Sequence, residues 1–324
     1  MAERPTPTVW IGWQGIRVQV PADWTIGQIS GEGDDGSMRV DAPDMPRLQI
    51  KWKKRGTGSV DVDRTVEDYL KTLTKGRKRN EPAVEVQLGG KYLSRRKKRK
   101  AQVRCFSWRG EQQAIGAAWH CTDCDRTVVC QVLGDPDEDL EELAQDVLLS
   151  VEDHPDNGWV LWGTYGLECW TPQEFALADQ KLMAGLLELR LDRDTERITI
   201  RRWGMSDVAL RGTDLQTWVG EQLAKGLKTQ EWRLESTEYR GHEALRLVGR
   251  PRFVWQRTQR FFHHVALKPF GSALAGLIWH CTPEKKIFCV ECLLDDENLA
   301  LADEVCERVV CHRPPDTFPG RERR

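Results

Sequence analysis

The chain has 324 residues, 40% of them hydrophobic and 30% charged, which is ordinary globular usage; it excludes a disordered or fibrous chain and leaves room for about two domains of ~150 residues. The formal net charge is −2, so nothing draws the whole chain to nucleic acid or membrane, and any such pull must come from local clusters. The start, Met1 to Thr8, holds an acid, an Arg and two prolines where a secretory leader needs an apolar run. No stretch reaches the ~18 apolar residues of a membrane span. The expectation is a cytoplasmic protein without a membrane partner. In that compartment ten cysteines point to metal binding or core burial before a disulfide framework.

In chain order, alternating strands are predicted at Ile16 to Val20, Ser37 to Val40 and Leu48 to Trp52, separated by turns rich in Gly, Asp and Pro. A helix follows, with Val62, Val66, Tyr69, Leu70 and Leu73 at helical spacing after Asp61 and Asp63, and Gly76 as its stop. Further strands fall at Val84 to Leu88, Val103 to Trp108, Ala114 to Cys121 and Thr127 to Leu133. Leu140, Leu143, Ala144, Val147, Leu148 and Val151 then line one face of a closing helix, for which Asp135, Pro136 and Glu138 offer a start resembling a capping box.

The pattern repeats. Gln113-Ala-Ile-Gly-Ala-Ala-Trp-His-Cys-Thr122 lies over Ala273-Leu-Ala-Gly-Leu-Ile-Trp-His-Cys-Thr282, sharing the Gly and the closing Trp-His-Cys-Thr. At the front, Gly12, Gly15, Ile16, Pro21, Asp23 and Trp24 stand over Gly163, Gly166, Leu167, Pro172, Glu174 and Phe175. The second copy shows a helix at Leu215, Trp218, Val219 and Leu223, strands near Glu243 to Val248, Phe261 to Leu267, Ala273 to Cys281 and Lys286 to Leu294, and a closing helix through Leu299, Ala302, Cys306, Val309 and Val310. His154-Pro155 ends the first copy as His312-Arg-Pro-Pro ends the second. The predicted class is α+β: two tandem domains, 1–155 and 156–313, each a mostly antiparallel meandering sheet packed by two main helices, with a flexible tail at 314–324.

This layout, opened by a strand running into Val20-Pro-Ala-Asp-Trp24, resembles the Mog1/PsbP-like superfamily. Its short opening motif decays to Thr171-Pro-Gln-Glu-Phe175 in the second copy. The resemblance implies two tandem members of that fold and a role in binding rather than catalysis; it carries over no functional residue.

The hairpins hold the cysteines. The first contains Cys121, Cys124 and Cys130, the second Cys281, Cys289 and Cys292. A two-residue loop at Asp125-Arg126 places Cys121 opposite Cys130, and a loop centred on Lys285 places Cys281 opposite Cys289, close enough for two sulfurs on one metal. A fourth ligand is missing from each set, and His120 points away from Cys121 because strand neighbours face opposite sides. Core packing accounts for the cysteines without chemistry; zinc is the cofactor they could otherwise hold, and a redox or cysteine-dependent enzyme is the further alternative.

Between Lys75 and Arg104 twelve Lys or Arg oppose two Glu. Within this run Arg95, Arg96, Lys97, Lys98, Arg99 and Lys100 are candidates for contacting nucleic acid or another acidic partner. The second copy lacks the run, and the acidic stretch Asp135 to Asp153 offers a neighbour for it. Trp10, Trp13, Trp159 and Trp162 stand at matching entrances and are candidates for a partner surface. Phosphate-loop, dinucleotide, His-Glu-x2-His and Gly-x-Ser-x-Gly motifs are absent from the sequence. The reading is a non-catalytic protein-binding, scaffold or chaperone-like chain.

Overall fold

A computed structural model describes residues 7–56, 60–74, 83–90, 101–252 and 271–312. They form a sheet-dominated, mostly antiparallel α+β architecture in two compact units that divide between Tyr165 and Gly166. The division lies beyond the 155/156 boundary expected from the turn residues because β10 (Trp159–Thr164) pairs with the first strand of the first unit. No helix among the described residues is long and apolar enough to cross a membrane.

The first unit opens with β1 (Thr8–Trp13) and β2 (Ile16–Pro21), and β1 pairs with both β2 and β10. Its main sheet runs β3 (Thr25–Glu32), β4 (Asp35–Asp41), β5 (Pro46–Lys54), β9 (Arg126–Gly134), β8 (Gln113–Cys121), β7 (Ala101–Arg109) and β6 (Glu85–Leu88), all antiparallel. On one face lies α1 (Val62–Thr74), whose Val62, Val66 and Leu70 pack with Phe106 and Ala118. The other face meets α2 (Glu141–Ser150), which packs on β2, β8 and β9 through Ala144, Val147 and Leu148.

The second unit repeats that order. β11 (Leu167–Pro172) pairs with the two-residue β19 (Val309–Val310). The main sheet runs β12 (Ala176–Leu182), β13 (Leu186–Arg193), β14 (Glu196–Trp203), β18 (Lys286–Leu294), β17 (Ala273–Cys281), β16 (His242–Pro251) and β15 (Gln230–Tyr239). A single turn, α3 (Ser206–Ala209), precedes α4 (Leu215–Ala224), whose Leu215, Val219 and Leu223 cover one face. The opposite face meets α5 (Ala300–Glu307), which packs on β17, β18 and β11.

Local chemistry explains the helix starts. The Asp61 carboxylate accepts from Arg64 N at 3.0 Å and Asp214 accepts from Thr217 N at 2.7 Å, each satisfying an amide with no partner inside its helix. The box expected at Asp135 forms differently. Glu138 does reach back to Asp135 N at 3.2 Å, but this closes a turn, and α2 begins only at Glu141. Glu138 is drawn instead into a two-pronged bond with Arg47 of β5, both contacts at 2.6 Å.

That fork makes a pH prediction. Arg47 hydrogen bonding holds the Glu138 carboxyl below the usual carboxylate range. Its folded pKa is therefore depressed, so its stabilisation is complete above the unfolded value of about 4.3 and fades as pH falls through the folded one. Glu138→Gln should cost about 1 kcal/mol at neutral pH. The difference from wild type should shrink as urea titrations move below pH ~4; a difference independent of pH would refute the assignment.

The sequence placed the second-copy strands one step off. By register, Trp119 pairs with Val103 and Trp279 with Ala244, so β7 corresponds to β16 and β6 to β15. The expected strand at Phe261 to Leu267 lies outside the described residues. The second unit's additional chain is thus residues 252–272, where the first has only 110–112. Both outermost strands, β3 and β12, carry a bulge at matching places, between Ile26 and Gln28 and between Leu177 and Asp179.

Candidate metal centre

Successive side chains of β8 and β17 point to opposite faces of the sheet: Ala118 packs with α1 and Ile278 with α4, and the residues beside them face the last helix. On the first side Gly116 lies beneath the Phe106 ring; a Cβ there would meet that ring at 2.4 Å. On the other side lie Trp119 and Cys121, and their counterparts Trp279 and Cys281. Trp279 stacks on Phe288 with centroids 5.4 Å apart and meets the Tyr239 ring at 5.2 Å, while the Tyr239 hydroxyl donates to the Cys306 carbonyl of α5.

The hairpin register differs from the expected one. Each turn spans four residues and places Asp125 or Lys285 at positive φ, so Cys121 pairs with Arg126 and Cys281 with Lys286. Cys130 consequently lies opposite Ala117, and Cys289 opposite Ile278. Four-residue hairpin loops are an ordinary alternative to two-residue ones. Cys130, Cys289 and Cys292 are all fully buried in strands, with Cys289 part of the core beneath α4. Burial pushes the Cys289 thiol up to about 12 and that of Cys292 well above its ordinary value.

The remaining candidates gather with residues that the hairpin alone does not supply. In the first unit Cys121, Cys124, Asp153 and His154 place one ligand atom each within 4.8 Å of the others. In the second, His242, Cys281, Cys311 and His312 do the same. Cys121 and Cys281 end equivalent strands, and Asp153-His154 and Cys311-His312 follow equivalent closing helices. The fourth member changes origin: Cys124 comes from the hairpin turn, His242 from the start of β16.

The two clusters differ in their bonding. In the first, His154 Nδ1 lies 2.8 Å from Asp153 Oδ1 and 3.5 Å from Cys121 Sγ, and Trp119 Nε1 donates to Asp153 Oδ2 at 2.7 Å. Burial, then the Asp153 charge, pushes the Cys124 thiol up to about 12. In the second, His312 Nδ1 lies 3.4 Å from Cys281 Sγ and 3.3 Å from Cys311 Sγ, and His242 Nε2 lies 3.5 Å from Cys311 Sγ. The two imidazoles meet edge to face at 5.1 Å. Burial pushes the Cys281 thiol up to about 11 and, with the neighbouring His312 and His280, the His242 imidazole down.

These geometries disfavour a cysteine nucleophile. A relay needs thiol and carboxylate on opposite ring nitrogens, whereas Cys121 and Asp153 both address Nδ1 of His154, and Asp123 and Asp156 stand 3.9 and 3.8 Å from its Nε2, outside hydrogen-bond reach. A nucleophilic thiol is also lowered toward neutral pH, and Cys281 is raised. His120 and His280 point away from the thiols, to Thr127 Oγ1 at 3.2 Å and Ser206 Oγ at 2.9 Å.

No family model matches the chain, and no curated protein matches it. Among solved structures it is similar to the apo form of the immunity protein TplEi of the T6SS from Pseudomonas aeruginosa, at a TM-score of 0.31 and 8% identity over 95% of this chain and 97% of that one. The same protein complexed with "L" peptide gives 0.30 and 8%, over 94% and 98%. Likeness at this level assigns neither a fold family nor a role.

Other candidate residues divide by burial. Trp13 is buried and meets buried Trp162 edge to face at 5.2 Å, so the pairing of β1 with β10 turns both inward, away from any partner. Trp10 and Trp159 are half-buried, and Arg17 lies over the Trp10 ring. Arg95, Arg96, Lys97, Lys98, Arg99 and Lys100 lie outside the described residues. At the end of their run, Arg104 bonds Asp63 of α1. The acidic stretch does not turn to that run among the described residues: Glu138 pairs with Arg47, Asp137 with Arg109 and Glu152 with Arg17.

Five cluster members, Asp153, His154, His242, Cys311 and His312, escaped the sequence reading of the site. A signal existed for two. His154 and His312 recur after the closing helices just as Cys121 and Cys281 recur on the hairpins, and a His and a Cys repeated together mark one place in a fold.

Proposed function

We propose that the chain is a non-catalytic protein-binding or scaffold protein built from a duplicated domain, as the resemblance to the Mog1/PsbP-like superfamily also implies. The observation that carries this reading is where the two copies place what they share. The repeated Gly, Trp and Cys lie inside each unit, where a Cys serves packing or a brace better than turnover. The surface offers something different. Met183, Met205 and Val208 of the second unit are each more than half exposed, around the Gly204 to Gly185 backbone bond that closes the β13–β14 pair. Flexible thioethers suit a protein contact because they repack against varied shapes.

A photo-crosslinking residue at Met205, with a control at exposed Lys228, tests this in cells expressing the full chain. The expected result is an adduct of one defined protein mass from Met205 alone. Adducts to nucleic acid, or none from Met205, would count against the reading. Thiol labelling adds a second measurement: Cys281 should resist iodoacetamide in folded chain and react after denaturation, and rapid single-site alkylation of native protein would favour the enzyme alternative.

A further inference from the structure

We propose that His242, Cys281, Cys311 and His312 bind one zinc ion, with both cysteines as thiolates and both imidazoles neutral. Three lines of geometry and chemistry meet in this cluster.

The first is distance. Zinc holds sulfur at about 2.3 Å and imidazole nitrogen at about 2.0–2.1 Å, so tetrahedral angles put each sulfur about 3.6 Å from each nitrogen. Three of the four sulfur to nitrogen separations here are 3.3, 3.4 and 3.5 Å, and all four ligand atoms lie within 4.8 Å of one another. Both sulfurs lie beside one atom, His312 Nδ1, and Cys311 Sγ also faces His242 Nε2, so the four ligand atoms surround a common point.

The second is charge and enclosure. Cys281 is fully buried, and His242 and Cys311 are nearly so. Two thiolates neutralise a divalent ion, and no carboxylate belongs to the cluster. Four protein ligands leave no open position, the arrangement of a structural rather than a catalytic site. The ligands come from β16, from β17 and from the segment after β19, so the ion would fasten the end of the unit to its central hairpin.

The third is an exchange between the copies. In the first unit Asp153 accepts the Trp119 indole N–H. Its counterpart is Cys311, and Trp279, fully buried, has an Nε1 with no hydrogen-bond partner among the described residues. A buried donor left without a partner is destabilising. The second unit tolerates that cost where a thiol replaces the carboxylate, as expected if position 311 is selected to ligate.

The same comparison limits the first unit. There the His154 Nδ1 that faces Cys121 also bonds Asp153, and a nitrogen that donates to a carboxylate has no lone pair for a metal. The proposal is therefore one zinc per chain, not two.

The test uses the full chain, reduced and freed of metal, titrated with zinc against a chromophoric chelator and separately with cobalt(II). One tight equivalent is expected, with cobalt showing the intense visible bands of tetrahedral coordination and thiolate charge transfer. Cys311→Ser and His312→Ala should each weaken binding by more than about 100-fold, since even outer-shell changes typically cost 10–100-fold. Cys292→Ala and Cys124→Ser should leave the equivalent intact. The cobalt spectrum of unaltered chain needs no variant to fold. An octahedral spectrum, no retained metal, a Cys281 to Cys311 disulfide in place of metal uptake, or loss of the equivalent in Cys124→Ser but not in Cys311→Ser would each overturn the proposal.

Discussion

Trp279→Ala is expected to destabilise the second unit by about 4 kcal/mol, near the upper range for emptying a core aromatic site. The ring is fully buried, stacked on Phe288 and tilted against Tyr239, so its removal leaves a space walled by two other aromatics that cannot collapse without moving β18 or β15. Urea unfolding followed by circular dichroism measures the loss, and a cost below ~1.5 kcal/mol would place the ring outside the load of the core. A paired substitution sharpens the expectation. Trp119→Phe removes a bond to Asp153, whereas Trp279→Phe removes an indole N–H that has no partner among the described residues. The phenylalanine change should therefore cost more at 119 than at 279, although the two tryptophans occupy the same place in the repeat.

The second large effect is expected at a residue with no side chain. Gly276→Val should cost about 3 kcal/mol, the upper range for overpacking. Its conformation is ordinary extended strand, so the reason is space rather than backbone freedom. A Cβ on Gly276 would stand 2.1 Å from the Val290 carbonyl oxygen, a backbone atom in the adjacent central strand. The matching Gly116 meets the Phe106 ring first, at 2.4 Å, and then the Cys130 carbonyl oxygen at 2.8 Å. Close approach thus accounts for the one glycine common to both hairpins. Thermal unfolding of Gly276→Val and Gly116→Val would show it, and a melting temperature unchanged in both would refute the crowding.

Much of this arrangement could be read from the residues. Asp61 announced its helix because a cap is a local bond between a side chain and an amide three residues on, the bond that Asp214 also makes. The central hairpins were legible because most of their side chains are buried, which makes each strand a short, nearly continuous apolar run bounded by turn residues. The outer strands were not. Thr25–Glu32 and Ala176–Leu182 expose most of their side chains, so neither face constrains composition and no period survives. Gln230–Tyr239 was missed for a similar reason, being polar on one face and only half-buried along much of the other.

The candidate site failed differently. Cys121, Cys124 and Cys281 were found, but they were grouped with Cys130, Cys289 and Cys292 because those lie nearest in sequence. A turn of four residues rather than two moves the pairing, and the missing members come from far along the chain: Asp153-His154 and Cys311-His312 follow a helix, and His242 opens β16, before the hairpin. Local spacing cannot specify such a meeting. It depends on α5 and β19 returning the chain to the end of β17, which only packing determines.

The bulges in β3 and β12 bear on how the molecule avoids its own kind. Each main sheet ends in one of these strands, and a flat edge presents a row of unpaired amides and carbonyls that templates strand addition between molecules. An inserted residue, Gly27 in one unit and Ala178 in the other, breaks that row and increases the local twist. Both units thus carry, at the same point, a guard against fibrillar self-association, and shortening either strand by that one residue would expose a straight edge to the next molecule.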